Sequence, residues 1–216
     1  MKKLFLFPLT AILLSLSTSS GYAISLTFVP ANQNVTQGSP ATIRINVSDL
    51  NPSPGAPSLG AFDFSVLFDP TILSFTGVTF GGNAGVSDQL QLGAACNPVS
   101  GLCGSVPGAG AVEIFELSAL SAAALDAGQT DAFTIATLTF NALKGGTSSL
   151  AVSGPPGLTL PVFGDALGNP LSLTLGTASV TVSSIVTGVP EPTVWLLVVT
   201  GFALLTKVQR RKRRRC

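Results

Sequence analysis

The sequence predicts an all-β domain of the two-sheet sandwich class. Short runs alternate apolar and polar residues, Gly, Pro, Asn and Asp interrupt them, and about nine such runs fall between residues 24 and 183. A sandwich accommodates that number of short strands better than a barrel does.

Ile24–Val29 is the first predicted strand. In Thr42–Val47, Ile43, Ile45 and Val47 share one face while Arg44 and Asn46 take the other, which marks a half-buried strand. The segment 50–58 holds Pro52, Pro54 and Pro57 and is predicted as a loop. Ala61–Phe68 gives the strongest core signal, with Phe62, Phe64, Val66 and Phe68 on one face. After the Asp69-Pro70 turn, 72–80 forms the next strand. Residues 81–110 are glycine-rich and read as an excursion from the scaffold. Val112–Leu117 resumes strand character, and Ser121–Leu125 forms a single helical turn. In 135–142 the threonines and Asn141 are expected to face out, with Leu138 and Phe140 inward. The runs 149–152, 158–163, 171–175 and 178–183 complete the domain.

Whole-chain net charge is +1, but the two ends hide an acidic body. Between residues 24 and 189 only Arg44 and Lys144 oppose nine carboxylates, leaving −7. Without a basic patch to neutralise phosphates, no nucleic-acid partner is expected. At the N-terminus, Lys2-Lys3, the apolar run 4–16 and Gly21-Tyr22-Ala23 read as a signal peptide over residues 1–23, with cleavage after Ala23. Export would put Cys96 and Cys103 in an oxidising space, so a disulfide is the expected pairing. Two free thiols in the loop are the alternative. With no Cys-x-x-Cys and no histidine, a zinc site is not expected.

The chain ends in three parts: Val189-Pro190-Glu191-Pro192, an uncharged apolar segment, and a cationic terminus. Pro190 and Pro192 keep the chain from being helical until after Glu191. Residues 193–206 are fourteen in number, roughly 21 Å of helix against a hydrocarbon core of about 30 Å. The flanks favour a membrane helix over a buried one. Trp195 stands where an interfacial aromatic would, Lys207 and Arg210 can snorkel, and Arg210, Arg211, Lys212, Arg213, Arg214 and Arg215 place the end in the cytoplasm. The order of these parts resembles the PEP-CTERM protein-sorting signal of Gram-negative bacteria. That resemblance assigns 184–189 as a linker and 190–216 as the signal, with Pro190, Glu191 and Pro192 as its motif. It implies exosortase and the inner membrane as partners, with a periplasmic ectodomain that ends at the cell surface or in an exopolysaccharide matrix. Cys216 is unaccounted for by the family pattern.

Leu59–Phe75, with its Gly-apolar-polar-apolar strand, Asp69-Pro70 turn and Leu73-Ser74-Phe75, resembles the strand pair of cohesin-like domains. Phe133–Phe140 resembles a later cohesin strand. The resemblance covers most of residues 24–183 and implies a nine-stranded jelly-roll sandwich that recognises proteins, typically dockerins. No dockerin-contacting residue can be matched, and the cysteine-bearing excursion departs from the pattern.

Catalytic chemistry finds little support. Without histidine the usual base for a Ser or Cys nucleophile is missing. Glu113 and Glu116 are expected on opposite faces of a strand as solvated carboxylates. Asp63 reads as a solvent-face residue and Asp69 as a turn residue. Calcium is the one cofactor left open, through Asp49, Asp88, Asp126 and Asp165, although no Asp-x-Asp-x-Asp-Gly run exists. The expectation is an exported, non-catalytic surface or matrix protein whose sandwich binds a protein or polysaccharide. The alternative is a secreted carbohydrate-active enzyme on the same scaffold.

Overall fold

The computed structural model describes residues 23–50, 58–81, 88–92, 96, 101–185 and 198. The chain divides into two compact units, residues 1–183 and 184–216. Among the described residues no helix is long and apolar enough to cross a membrane. The predicted span 193–206 lies, apart from Val198, outside them.

The first unit holds twelve described strands and one helix: β1 Ala23–Val29, β2 Asn32–Thr36, β3 Pro40–Ser48, β4 Leu59–Leu67, β5 Leu73–Phe80, β6 Cys103–Gly108, β7 Ala111–Leu117, α1 Ala122–Gly128, β8 Phe133–Ala142, β9 Gly146–Ser153, β10 Val162–Asp165, β11 Ser172–Leu175 and β12 Ala178–Ser183. One sheet runs β11-β1-β3-β8-β5 and the other β2-β12-β9-β4-β7-β6. β10 pairs the first half of β4 at Leu59–Asp63, and β9 pairs its second half at Ser65–Leu67. Most pairs are antiparallel, but β1–β11 and β2–β12 are parallel. There the last two strands close opposite sheets, each alongside an N-terminal strand running the same way.

Period-2 patterning explains the core. Along β3 every second residue, Ala41, Ile43, Ile45 and Val47, is buried, and along β4 Phe62, Phe64 and Val66 point inward. Phe64 stacks on Phe163 of β10 at 5.4 Å between ring centroids, and Phe62 reaches Phe163 at 5.9 Å and Phe80 of β5 at 6.4 Å. A second aromatic group joins Phe68 to Phe140 at 5.2 Å and Phe140 to Phe75 at 5.9 Å, both edge-on. Gly60 lets β10 close over β4, since a Cβ there would stand 2.5 Å from the Asp165 carbonyl oxygen.

Several local expectations are corrected. β2 and β6 were not predicted. β2 is Asn-Gln-Asn-Val-Thr, without an apolar stripe, and pairs only at a sheet edge. β6, Cys-Gly-Ser-Val-Pro-Gly, is also an edge strand, the position that tolerates Pro107. Thr137 is buried rather than solvent-facing, because β8 lies between β3 and β5. The helical turn extends to Gly128, with the Ser121 hydroxyl accepting from the Ala124 amide as an N-cap. Beyond α1, the buried Gln129 amide accepts from Leu59 N–H at 2.8 Å and donates to the Leu59 carbonyl at 2.7 Å. It thereby imitates a strand partner at the start of β4 and fixes where that strand begins.

Candidate functional site

Two features stand out on the β4–β7–β6 part of the sandwich. The first is its outward face. Register places Val162, Asp63, Phe115 and Gly104 in one cross-strand row and Ser65, Glu113 and Val106 in the next. Leu67 and Leu117 follow the same parity on β4 and β7. Leu67, Val106, Leu117 and Val162 are all exposed, one on each of the four strands and each in a different cross-strand row. Among them Asp63 and Glu113 sit as diagonal neighbours and interact. Burial raises the Asp63 carboxyl, partly offset by Glu113, and Glu113 is raised by burial and then by the Asp63 charge. The Phe115 ring lies over Gly104, where a Cβ would come within 2.9 Å of it.

The second feature lies on the inner face at the open edge between β5 and β6. Glu116 stands opposite Phe62 on β4 and Cys103 on β6, and is only 2% exposed. It is therefore not the solvated carboxylate expected from the sequence. Val112, Ile114 and Glu116 occupy alternate positions, so the two apolar residues already pointed Glu116 inward. Glu113 does take the opposite face. Asp88, expected as an ordinary loop acid, is 5% exposed and faces Glu116. Burial first, then Asp88, pushes the Glu116 carboxyl up to about 9, while a hydrogen bond from Gln91 opposes the shift. The segment 88–92 is tied to the end of β7: the Ser118 hydroxyl donates to the Leu90 carbonyl at 2.6 Å, and Gln91 Nε2 donates to the Leu117 carbonyl at 3.2 Å.

A disulfide joins Cys96 to Cys103 with Cα atoms 6.3 Å apart. It lines a cavity of about 600 Å³ whose wall also includes Val78, Phe80, Val106 and Phe115. The Cys96 sulfur and one oxygen each of Asp88 and Glu116 lie within 4.8 Å of one another, the one cluster of this kind among the described residues. The other acids considered for calcium serve local structure. Asp126 accepts from the Ser58 hydroxyl at 2.7 Å, and Asp49 from the Ser48 hydroxyl at 3.2 Å. Asp165 accepts from the Leu167 and Asn169 amides at 2.9 and 2.7 Å. Asp69 is the turn residue expected, accepting from the amide and hydroxyl of Thr71, which lower its carboxyl.

Ala23 opens β1 and pairs with Ser172, so a chain beginning at Ile24 retains the next three β1–β11 pairs. Pro190, Glu191, Pro192, Trp195, Lys207, Arg210, Arg211, Lys212, Arg213, Arg214 and Arg215 lie outside the described residues.

This architecture is an open, mostly antiparallel β-sandwich. Solved cohesin domains share that fold. The sixth cohesin of scaffoldin B from Acetivibrio cellulolyticus, solved with a mutant Cel5 dockerin, matches at a TM-score of 0.54 and 18% identity over 74% of this chain and 99% of that one. The OlpC cohesin from a type I cohesin–dockerin complex of Clostridium thermocellum matches at 0.55 and 11% identity over 76% and 96%. A type II cohesin from the Acetivibrio cellulolyticus cellulosome matches at 0.53 and 15% identity over 73% and 95%. No family model and no curated protein matches the sequence. The cohesin-like fold expected from Leu59–Phe75 and Phe133–Phe140 is thus the fold observed, with twelve described strands in place of about nine.

Proposed function

We propose that the chain is an exported, non-catalytic recognition protein whose sandwich docks a protein partner through the outward face of β10, β4, β7 and β6. The observation that carries the reading is that face, with exposed Leu67, Val106, Leu117 and Val162 around the Asp63–Glu113 pair. Its support from fold is that solved cohesins of this architecture occur in complex with dockerins. A protein fits better than a polysaccharide because the chain's single Trp and single Tyr, Trp195 and Tyr22, fall outside residues 24–183. The face consequently offers aliphatic anchors, the Phe115 ring and acids, which suit a partner presenting apolar and cationic side chains. A carbohydrate-active enzyme is the weaker reading, since Glu113 and Glu116 sit on opposite faces of β7. Val106→Asp together with Leu117→Asp is expected to weaken capture of the partner from the native cell-surface fraction by tenfold or more, with an unchanged melting temperature. Equal capture by the double variant would move recognition off this face.

The trafficking half of the reading assigns residues 1–23 as signal peptide, 24–183 as ectodomain, 184–189 as linker and 190–216 as sorting signal. The tail halts in the inner membrane with Lys207 and Arg210 to Arg215 inside. Exosortase acts near Pro190, Glu191 and Pro192, and the ectodomain reaches the surface or matrix. The ordered motif, apolar segment and arginine cluster support this. Intact-mass measurement of the mature protein is expected to show the C-terminal segment lost only in cells that contain exosortase. A complete tail with or without the enzyme would reduce the segment to a plain anchor behind a stiff linker.

A further inference from the structure

We propose that Asp88, Cys96, Cys103 and Glu116 form a zinc site that opens when the Cys96–Cys103 disulfide is reduced. The site lies on the inner face, and its cavity shares Val106 and Phe115 with the outward face. Its two carboxylates are held in the same unusual way. Asp88 Oδ1 accepts from the Leu90 amide at 2.9 Å, and Glu116 Oε1 accepts from Gln91 Nε2 at 3.4 Å. The second oxygen of each, Asp88 Oδ2 and Glu116 Oε2, is buried without a hydrogen bond of acceptable geometry. The two groups face one another closely enough to interact. A cation placed between them would bind the facing oxygen of each and take over that contact.

One sulfur, that of Cys96, joins the carboxylates directly; that of Cys103 lies outside the cluster and turns toward it once the disulfide is released. Cys96 Sγ is within 4.8 Å of both carboxylates. Cys103 is bonded to Cys96 and is the cross-strand neighbour of Glu116 on the same inner face. Two thiolates and two carboxylate oxygens suit four-coordinate zinc, whereas calcium takes six or more oxygens. The hydrogen bonds from Leu90 and Gln91 supply the outer support that orients metal-binding carboxylates. The disulfide lies on the wall of the 600 Å³ cavity, which gives an ion and a reductant a route inward.

The chemistry balances with a dithiol reductant. The dithiol is oxidised to its own disulfide, delivering two electrons and two protons that break the Cys96–Cys103 bond and leave two thiols. Zinc(II) then displaces the two thiol protons and the Glu116 carboxyl proton, which pass to solvent, and keeps its oxidation state. In an oxidising space the disulfide ties Cys96 to β6; in a reducing one, zinc does so.

The test uses the full-length chain, reduced on an immobilised dithiol resin that is removed before zinc is added. Equilibrium dialysis is expected to find one zinc per reduced chain and none per oxidised chain. Cobalt in place of zinc is expected to give a thiolate charge-transfer band. Asp88→Asn and Glu116→Gln, both close in shape to the originals, are expected to weaken zinc binding by about 100-fold or more, at least what loss of an outer-shell partner costs. Absence of binding to the reduced chain, equal binding to the oxidised chain, or unchanged affinity in both variants would overturn the proposal. So would loss of the β-sheet circular-dichroism signal on reduction, because the site requires the folded 88–92 segment.

Discussion

Phe64→Ala is expected to cost about 4 kcal/mol of folding free energy, the largest loss from a single side chain in this domain. Phe64 is wholly buried at the middle of β4, the strand that joins β7 on one side and β9 and β10 on the other. Its ring contacts Phe163 at 5.4 Å and Phe62 at 5.7 Å. Truncation would remove the transfer energy of a buried phenyl group and leave a cavity. The backbone around it cannot collapse freely, because β10 lies so close over Gly60 that even a Cβ there would come within 2.5 Å of the Asp165 carbonyl oxygen. Against a typical total stability of about 5–15 kcal/mol, that loss is a large share. Urea denaturation should show a much lower midpoint with little change in slope. Phe75→Ala is the comparison, since Phe75 is only partly buried and touches the core through Phe140. A loss below about 1 kcal/mol for Phe64→Ala would mean that the aromatic stack does not hold the two sheets together.

The same aromatic stack explains which parts of the fold were legible in the sequence. β3, β4 and β8 announce themselves because each places large apolar residues at alternate positions against the opposite sheet. β2 and β6 do not, since an edge strand needs only backbone pairing on one side, and Pro107 or Asn32 satisfies that without an apolar stripe. The outward face of β4 and β7 was half legible. Alternation along 61–68 put Asp63 outside, but its meeting with Glu113 depends on the β4–β7 register, which no local pattern encodes. The acid pocket was the least legible element. Asp88 and Glu116 belong to a loop and a strand that only the closing of the excursion brings together. Carboxylates are normally solvated, so the alternation of Val112, Ile114 and Glu116 had to be trusted over that general tendency.

Stability should fall as pH rises from about 5 to 9, and Glu116→Gln should remove most of that slope. Glu116 has an ordinary value of 4.5 and is pushed up to about 9 in the fold, first by burial against Phe62 and Cys103 and then by Asp88. The folded state therefore holds a proton that the unfolded state gives up above about 4.5. The associated stability is complete below 4.5, declines between the two values, and is gone above about 9. At pH 7 the gap between the ordinary value and neutrality corresponds to roughly 3 kcal/mol. Glutamine keeps the acceptor that Gln91 uses, offers Asp88 an amide donor and never ionises. Glu116→Gln should thus raise the melting temperature at pH 7 by roughly 6–12 °C in a domain of this size, with a smaller gain at pH 5. Asp63→Asn should act on a different pair and leave the effect of Glu116→Gln unchanged, because its partner Glu113 faces the other side of β7. A melting temperature that stays level across this range in wild type, together with no gain in Glu116→Gln, would show that Glu116 ionises in the fold at no cost. The buried position opposite Cys103 would then have to be solvated in solution. If the slope is present and vanishes in the variant, the domain carries a buried acid that costs it stability at neutral pH, at the point where Asp88 and the Cys96–Cys103 disulfide meet it.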